Sequence, residues 1–176
     1  LDFNVDRDVV NNVLVRRALT LAINRKEITD QITRSGETPA TGYLPISSQK
    51  TDGTSYRAVD ANGLPEPAYG ISCDSADVET AQALLAEAGY ADGFEIECSV
   101  TSGLLNSTDV VQAIAAQLEQ VGIHVNIKQE DSATQRDEIG SGTVSPMFLQ
   151  GLGGPYCDIN LIASIGFTEG ARYCTW

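Results

Sequence analysis

Apolar residues recur along parts of this chain at intervals of three, four and seven, and along other parts at every second position. Residues 12–32, NVLVRRALTLAINRKEITDQI, set Val13, Val15, Leu19, Ala22, Ile23 and Ile28 at helical spacings. Arg16, Arg17, Arg25 and Lys26 interrupt that stripe and keep one face wet. Asn11 or Asn12 can cap the helix, and RSGETPATGYLP breaks it. Residues 75–88, SADVETAQALLAEA, carry the clearest helical pattern, with Val78, Ala81, Leu84, Leu85 and Ala88 on one face. Ser75 or Asp77 is its cap, Glu79 lies in its first turn, and Gly89 follows it. In GFEIECSV the period changes to two: Phe94, Ile96, Cys98 and Val100 point inward, and Glu95, Glu97 and Ser99 outward. Residues 109–121 are helical again and stop at Gly122. IHVNIK alternates with Ile123, Val125 and Ile127 inward. A short helix near 131–139 and a strand PMFLQ near 146–150 complete the series.

Strand, helix, strand, short helix, strand predicts an α/β fold with right-handed crossovers and a mostly parallel sheet flanked by helices. Ligands of such sheets lie beyond the carboxyl ends of the strands. That rule selects two loops. One is 101–108, which contains Ser102 and Asn106. The other is 151–158, GLGGPYCD, whose Gly153 and Gly154 let backbone approach a ligand and whose Tyr156 can stack or donate a hydrogen bond. Residues 36–72 hold most of the prolines and no long periodicity, so they read as a loop-rich insertion with one short strand, inside a single unit spanning 1–176.

Charge and chemistry narrow the picture. Lys and Arg number 11 against 24 Asp and Glu, a net charge of −13, which repels nucleic acid and anionic lipid and suits solubility or a cationic ligand. His124 is the sole histidine, and its neighbours in an alternating strand send it to solvent. Without it no Ser–His–Asp or Cys–His site can be assembled. GSGTVSP and GLGGP match neither the Walker pattern nor the dinucleotide fingerprint. The acidic groups DRD at 6–8 and EIE at 95–97 lack calcium-loop spacing and read as solvated surface. The residues therefore imply no catalytic machinery, no metal and no cofactor. No apolar run reaches membrane-spanning length and no signal peptide heads the chain; the opening LDFNVDRD reads as mid-protein sequence. The four cysteines fit no zinc spacing. They allow three disulfide pairings, of which Cys73–Cys98 and Cys157–Cys174 join segments near in sequence; four buried free thiols are the alternative.

Three ordered stretches carry a family resemblance. VRRALTLAINRKEI, SADVETAQALLAEAGYADGFEIECSV and VVQAIAAQLEQVGIHVNI resemble successive segments of the extracellular solute-binding proteins, family 5, the peptide, dipeptide and nickel-type receptors of ABC importers. The resemblance implies one lobe of a type II periplasmic-binding-protein clamshell, most of the carboxy-terminal lobe, with the amino-terminal lobe outside these residues. It implies a non-enzymatic receptor for small peptides or related solutes, periplasmic or extracellular, lipid-anchored in some full-length forms, that works with ABC importer membrane subunits. Peptide receptors of the family carry a gW--D pattern at the loop of 151–158; here Leu152 holds the Trp position and Pro155 the Asp position. The nickel-type WGaPYdp is closer: Gly153, Pro155 and Tyr156 match, and Asp158 falls one residue late, behind Cys157. A metal-chelate receptor is thus the alternative. The resemblance makes Tyr156 the leading contact, Leu152 an apolar wall and Asp158 a loop-orienting group. From other classes, a hydrolase would show turnover, and an interaction module would bind a partner without any small ligand.

Overall fold

Two glycines start the parallel core of the sheet. Gly93 and Gly122 both adopt positive φ, 77° and 82°, and their backbones touch so closely that a Cβ on Gly93 would lie 1.9 Å from the Gly122 carbonyl oxygen. Strands β2 (Phe94–Thr101) and β3 (Ile123–Glu130) leave this contact in step, paired in parallel from Phe94↔Ile123 to Thr101↔Glu130. The computed structural model of the protein describes residues 1–34, 36, 38–42, 49–59, 61, 66–67, 70–104 and 106–151.

On the other side of β2 runs β4 (Met147–Leu149), also parallel, and outside it β1 (Asp2–Phe3), antiparallel. The sheet order is β1-β4-β2-β3. Helix α4 (Ser107–Glu119) joins β2 to β3, and α5 (Ser132–Ser141) joins β3 to β4. The sheet is therefore mostly parallel and flanked by helices, as the alternation of periods predicts.

The two connecting helices cover opposite faces. Ile96, Cys98 and Val100 join Val111, Ile114 and Leu118 of α4 in the main core. The other face of β2 meets α5: buried Ser99 accepts a hydrogen bond from buried Gln135 at 3.0 Å, and Phe148 packs with Ile139 and Val144. Ser99 was expected to face solvent, but a central strand is covered on both sides. On the edge strand β3 the error is opposite: Ile127 is 36% exposed, on a strand that has a neighbour on one side only.

The helix expected over 12–32 is broken. Asn12 caps α1 (Val13–Leu21) by accepting from the Leu14 N–H at 2.9 Å. Asn24 then caps a second short helix, α2 (Arg25–Ile28), accepting from Glu27 N–H at 3.0 Å, and a π-helical turn (Thr29–Thr33) follows. Val15, Leu19, Ala22, Ile23 and Ile28 are buried as the spacing predicts, whereas Val13, in the first turn, is 63% exposed. Helix α3 (Val78–Glu87) is capped by Asp77, which accepts from Thr80 N–H at 3.0 Å, and packs on α1. In the described part of 36–72 the strand-like feature is an isolated bridge, Gln49↔Ser55. No helix among the described residues is long and apolar enough to cross a membrane.

Asn4 ties the two ends of the described chain together. Its buried amide donates to the carbonyls of Gly142 and Val144, both at 3.1 Å, and its N–H donates to Pro146 O at 3.0 Å. Arg7 adds bonds to the Val144 and Thr143 carbonyls.

The expected Cys73–Cys98 disulfide is corrected: both are free, buried thiols. Nearness in sequence misled, because Cys73 sits before α3 in the outer helical layer with Sγ 3.5 Å from Ala40 O, while Cys98 lies in the main core. Cys157 and Cys174 lie outside the described residues.

Gly93→Ala is expected to lower the free energy of unfolding in urea by about 3 kcal/mol or more, since backbone must move. Gly89→Ala, with positive φ but open space around its Cβ, is expected to cost only about 1 kcal/mol. Burial pushes the Cys98 thiol from 9.0 up to about 12. The unfolded thiol ionises first as pH rises, so stability is full below pH 9 and falls towards pH 12. The loss is up to about 1.4 kcal/mol per pH unit. Urea titrations across that range should show a shallower alkaline decline for Cys98→Ala.

Candidate functional site

The carboxyl ends of β2 and β4 and the first turns of α5 enclose a groove of about 230 Å³. Its first wall is the turn after β2. Thr101 O accepts from the Ser107 hydroxyl at 2.7 Å, and Leu104 O accepts from Ser107 N–H at 3.1 Å, so α4 begins by pinning this turn. Gly103 and Leu104 form its rim. The second wall is α5, which offers Ser132, Gln135, Arg136 and Ile139. These residues stand at i, i+3, i+4 and i+7, one helical face that is polar at its amino end and apolar beyond. Gln150 and Gly151, just after β4, close the third side. A Cβ on Gly151 would lie 3.4 Å from Leu104 Cδ1, so Gly151 adjoins the turn after β2.

Local bonds hold α5 in place. Asp131 accepts from Ala133 and Thr134 N–H at 2.9 and 3.0 Å and from the Thr134 hydroxyl at 2.6 Å. Those donors, the Thr134 hydroxyl first, hold the Asp131 carboxyl below the usual carboxylate range. Deeper in the helix, Lys128 Nζ of β3 lies 2.7 Å from Glu138 and 2.9 Å from Glu130, and these partners, Glu138 first, raise the pKa of Lys128. This clamp and the Gln135–Ser99 bond fix α5 against the sheet.

Of the site residues expected from the sequence, Ser102 and Asn106 stand at the end of β2, as the strand-end rule requires, but neither lines the groove. Ser102 is exposed and gives its N–H to Glu130 O at 3.2 Å. Asn106 has left-handed backbone, φ 57°, at the start of α4, and its side chain makes no capping bond. Leu152, Gly153, Gly154, Tyr156 and Asp158 lie outside the described residues. Sequence reasoning missed Ser132, Gln135, Arg136 and Gln150. The signal for the first three was the polar i, i+3, i+4 face opening a helix at the strand ends.

His124 faces solvent with Nδ1 3.4 Å from Glu119, as its place in an alternating strand predicts. Glu95 and Glu97 accept from Asn126 (3.2 Å) and Ser145 (2.6 Å). Among the described residues no group of three or more His, Cys, Asp or Glu could hold a metal ion.

A sequence profile described as bacterial extracellular solute-binding proteins, family 5 Middle, matches residues 1–170. The glutathione-binding protein GsiB of Salmonella choleraesuis (strain SC-B67) is 30% identical over 141 residues, covering 79% of this chain and 24% of the relative. The periplasmic oligopeptide-binding protein OppA of Salmonella typhimurium (strain LT2) is 30% identical over 148 residues, 81% of this chain and 24% of that protein. The chain thus spans about a quarter of the length of these curated relatives. In three dimensions it resembles a periplasmic oligopeptide-binding protein of Borrelia burgdorferi, with a TM-score of 0.75 and 24% identity, over 97% of this chain and 31% of that one.

Because Asn106 contributes its backbone angle, Asn106→Gly is expected to leave stability within about 0.5 kcal/mol of the parent, while Asn106→Val costs about 1–2 kcal/mol by thermal or urea denaturation.

Proposed function

The chain belongs to the bacterial extracellular solute-binding proteins, family 5, and from that membership we propose that it is part of the substrate-binding component of an ABC importer, capturing small peptides or related solutes. The observation that carries this reading is the polar groove at the carboxyl ends of β2 and β4. The chain runs on from its rim at Gly151 into Leu152–Asp158, where we assign Tyr156 as a ligand contact, Leu152 as an apolar wall, Gly153 and Gly154 as loop-shaping residues and Asp158 as a loop-orienting one. Residues 1–176 are read as one lobe, with 36–72 as an insertion within it, and the opposing wall of the cleft comes from an amino-terminal lobe of the same protein. Relatives named for glutathione and for oligopeptides favour a short peptide as the solute. The receptor works outside the cytoplasmic membrane, free or lipid-anchored, and delivers its load to the importer's membrane subunits. No chemical step is assigned, since the relatives are named for binding glutathione and oligopeptides and not for a reaction.

Ligand that binds only the folded protein raises its stability, by about 2.7 kcal/mol at a hundredfold excess over Kd. Thermal-shift screening of the full-length protein is expected to give an upward shift of several degrees with di- and tripeptides, glutathione included. Shifts confined to nickel or other metal chelates would transfer the assignment to the metal-chelate alternative.

A further inference from the structure

Helix α5 is a wall of the groove, yet little apolar contact holds it in place. Its buried residues are Gln135 and Ile139, and the first of these is polar. Ile139 packs with Val144 and Phe148 in a small cluster apart from the main core. The other connecting helix, α4, buries Val111, Ile114 and Leu118 in that main core. Gly140 weakens α5 further, because glycine disfavours the helical state, and a Cβ there would meet nothing within 4 Å. A short helix this polar does not persist by itself; what docks it decides whether it forms.

Among the described residues two polar links tie side chains of α5 to the sheet. One is the Gln135–Ser99 bond at 3.0 Å. The other is the Glu138 carboxylate, whose two oxygens accept from Lys128 Nζ at 2.7 and 2.9 Å. Lys128 has a second acid on its own strand. Glu130 lies 2.9 Å from Nζ, its side chain is 6% exposed, and both its oxygens lack a hydrogen-bond partner. The ammonium therefore keeps a counter-charge when Glu138 leaves. Glu138 stands nearer the surface than Glu130 and regains water as it departs. Release on the α5 side leaves no buried charge alone, so the link can open without disrupting the strand beneath it.

We propose that α5 is a separately opening wall of the groove, latched to the sheet by Lys128 and Glu138, and that a captured solute closes it. The inference rests on the solute-binding reading above and adds its mechanics. A solute seated against Ser132 and Gln135 binds the docked helix only, so it shifts the balance toward the docked state. Lys128 and Glu138 are positioning residues: neither lines the groove, and they act through the helix that does.

The test is amide hydrogen exchange, followed by mass spectrometry, on the full-length protein. Without solute, the amides of α5 are expected to exchange at least roughly tenfold faster than those of β2 and β3. Glu138→Gln leaves the Lys128–Glu130 pair intact and should speed exchange in α5 by about 3- to 30-fold, with β2 and β3 unchanged. Concentrated NaCl should speed α5 in the wild type and have no such effect in Glu138→Gln, a response that loss of packing alone would not give. Gly140→Ala should act in the opposite direction, slowing α5 by about 2- to 5-fold. Saturating trialanine or reduced glutathione should slow α5 exchange in the wild type. Exchange of α5 in step with β2 and β3, or at an unchanged rate in Glu138→Gln, would overturn the latch. A peptide that raises the melting temperature without slowing α5 would overturn closure by the solute and leave the peptide reading intact. Failure of both peptides to raise the melting temperature would overturn the peptide reading, while the solute-free exchange still decides the latch.

Discussion

The backbone contact between Gly93 and Gly122 is the constraint from which the rest of the structure follows. Only residues without a Cβ allow two chains to meet this closely, and both take the left-handed backbone that glycine tolerates. Because β2 and β3 depart from this point together, they end together at Thr101 and Glu130. The turn after β2 and the start of α5 then emerge side by side, bridged by the Ser102 N–H to Glu130 O bond. A one-residue slip would exchange the buried Ile96, Cys98 and Val100 for Glu95, Glu97 and Ser99. The groove is thus a consequence of register as much as of the side chains that line it.

Burial on both faces of β2 explains where the sequence was legible and where it was not. Helices α3 and α4 each cover one surface, so a single apolar stripe encodes them; Asp77, one of the two expected caps, caps α3, and α4 begins at Ser107, two residues before the expected 109. Ser99 and Ile127 defeat the same logic from opposite directions. The first is polar yet buried, because Gln135 comes from 36 residues away to satisfy it; the second is apolar yet open, because β3 is an edge. The break after Leu21 was obscured because Ala22, Ile23 and Ile28 continue the apolar stripe although Asn24 restarts the helix. Strand β1 is two residues long, too short for any period to show. For the site, the rule about strand ends selects the edge of the sheet where the groove lies, and only the three-dimensional path of α5 brings Arg136 to that groove.

The chain as a whole is strongly acidic, yet among the described residues the acids near the groove are bound to local partners: Asp131 to the helix start, Glu130 and Glu138 to Lys128.

The bonds made by Asn4 bear on how the chain reaches its fold. Its side chain meets Val144 across 140 positions, so the loop they close is nearly as long as the described chain itself. Closing so long a loop is entropically unfavourable until other contacts have shortened it. The β2–α4–β3 run, whose neighbours in space are neighbours in sequence, closes far shorter loops than the β1–β4 pair does. During synthesis from the amino end, Asp2–Phe3 must wait, unpaired, until Met147–Leu149 has left the ribosome.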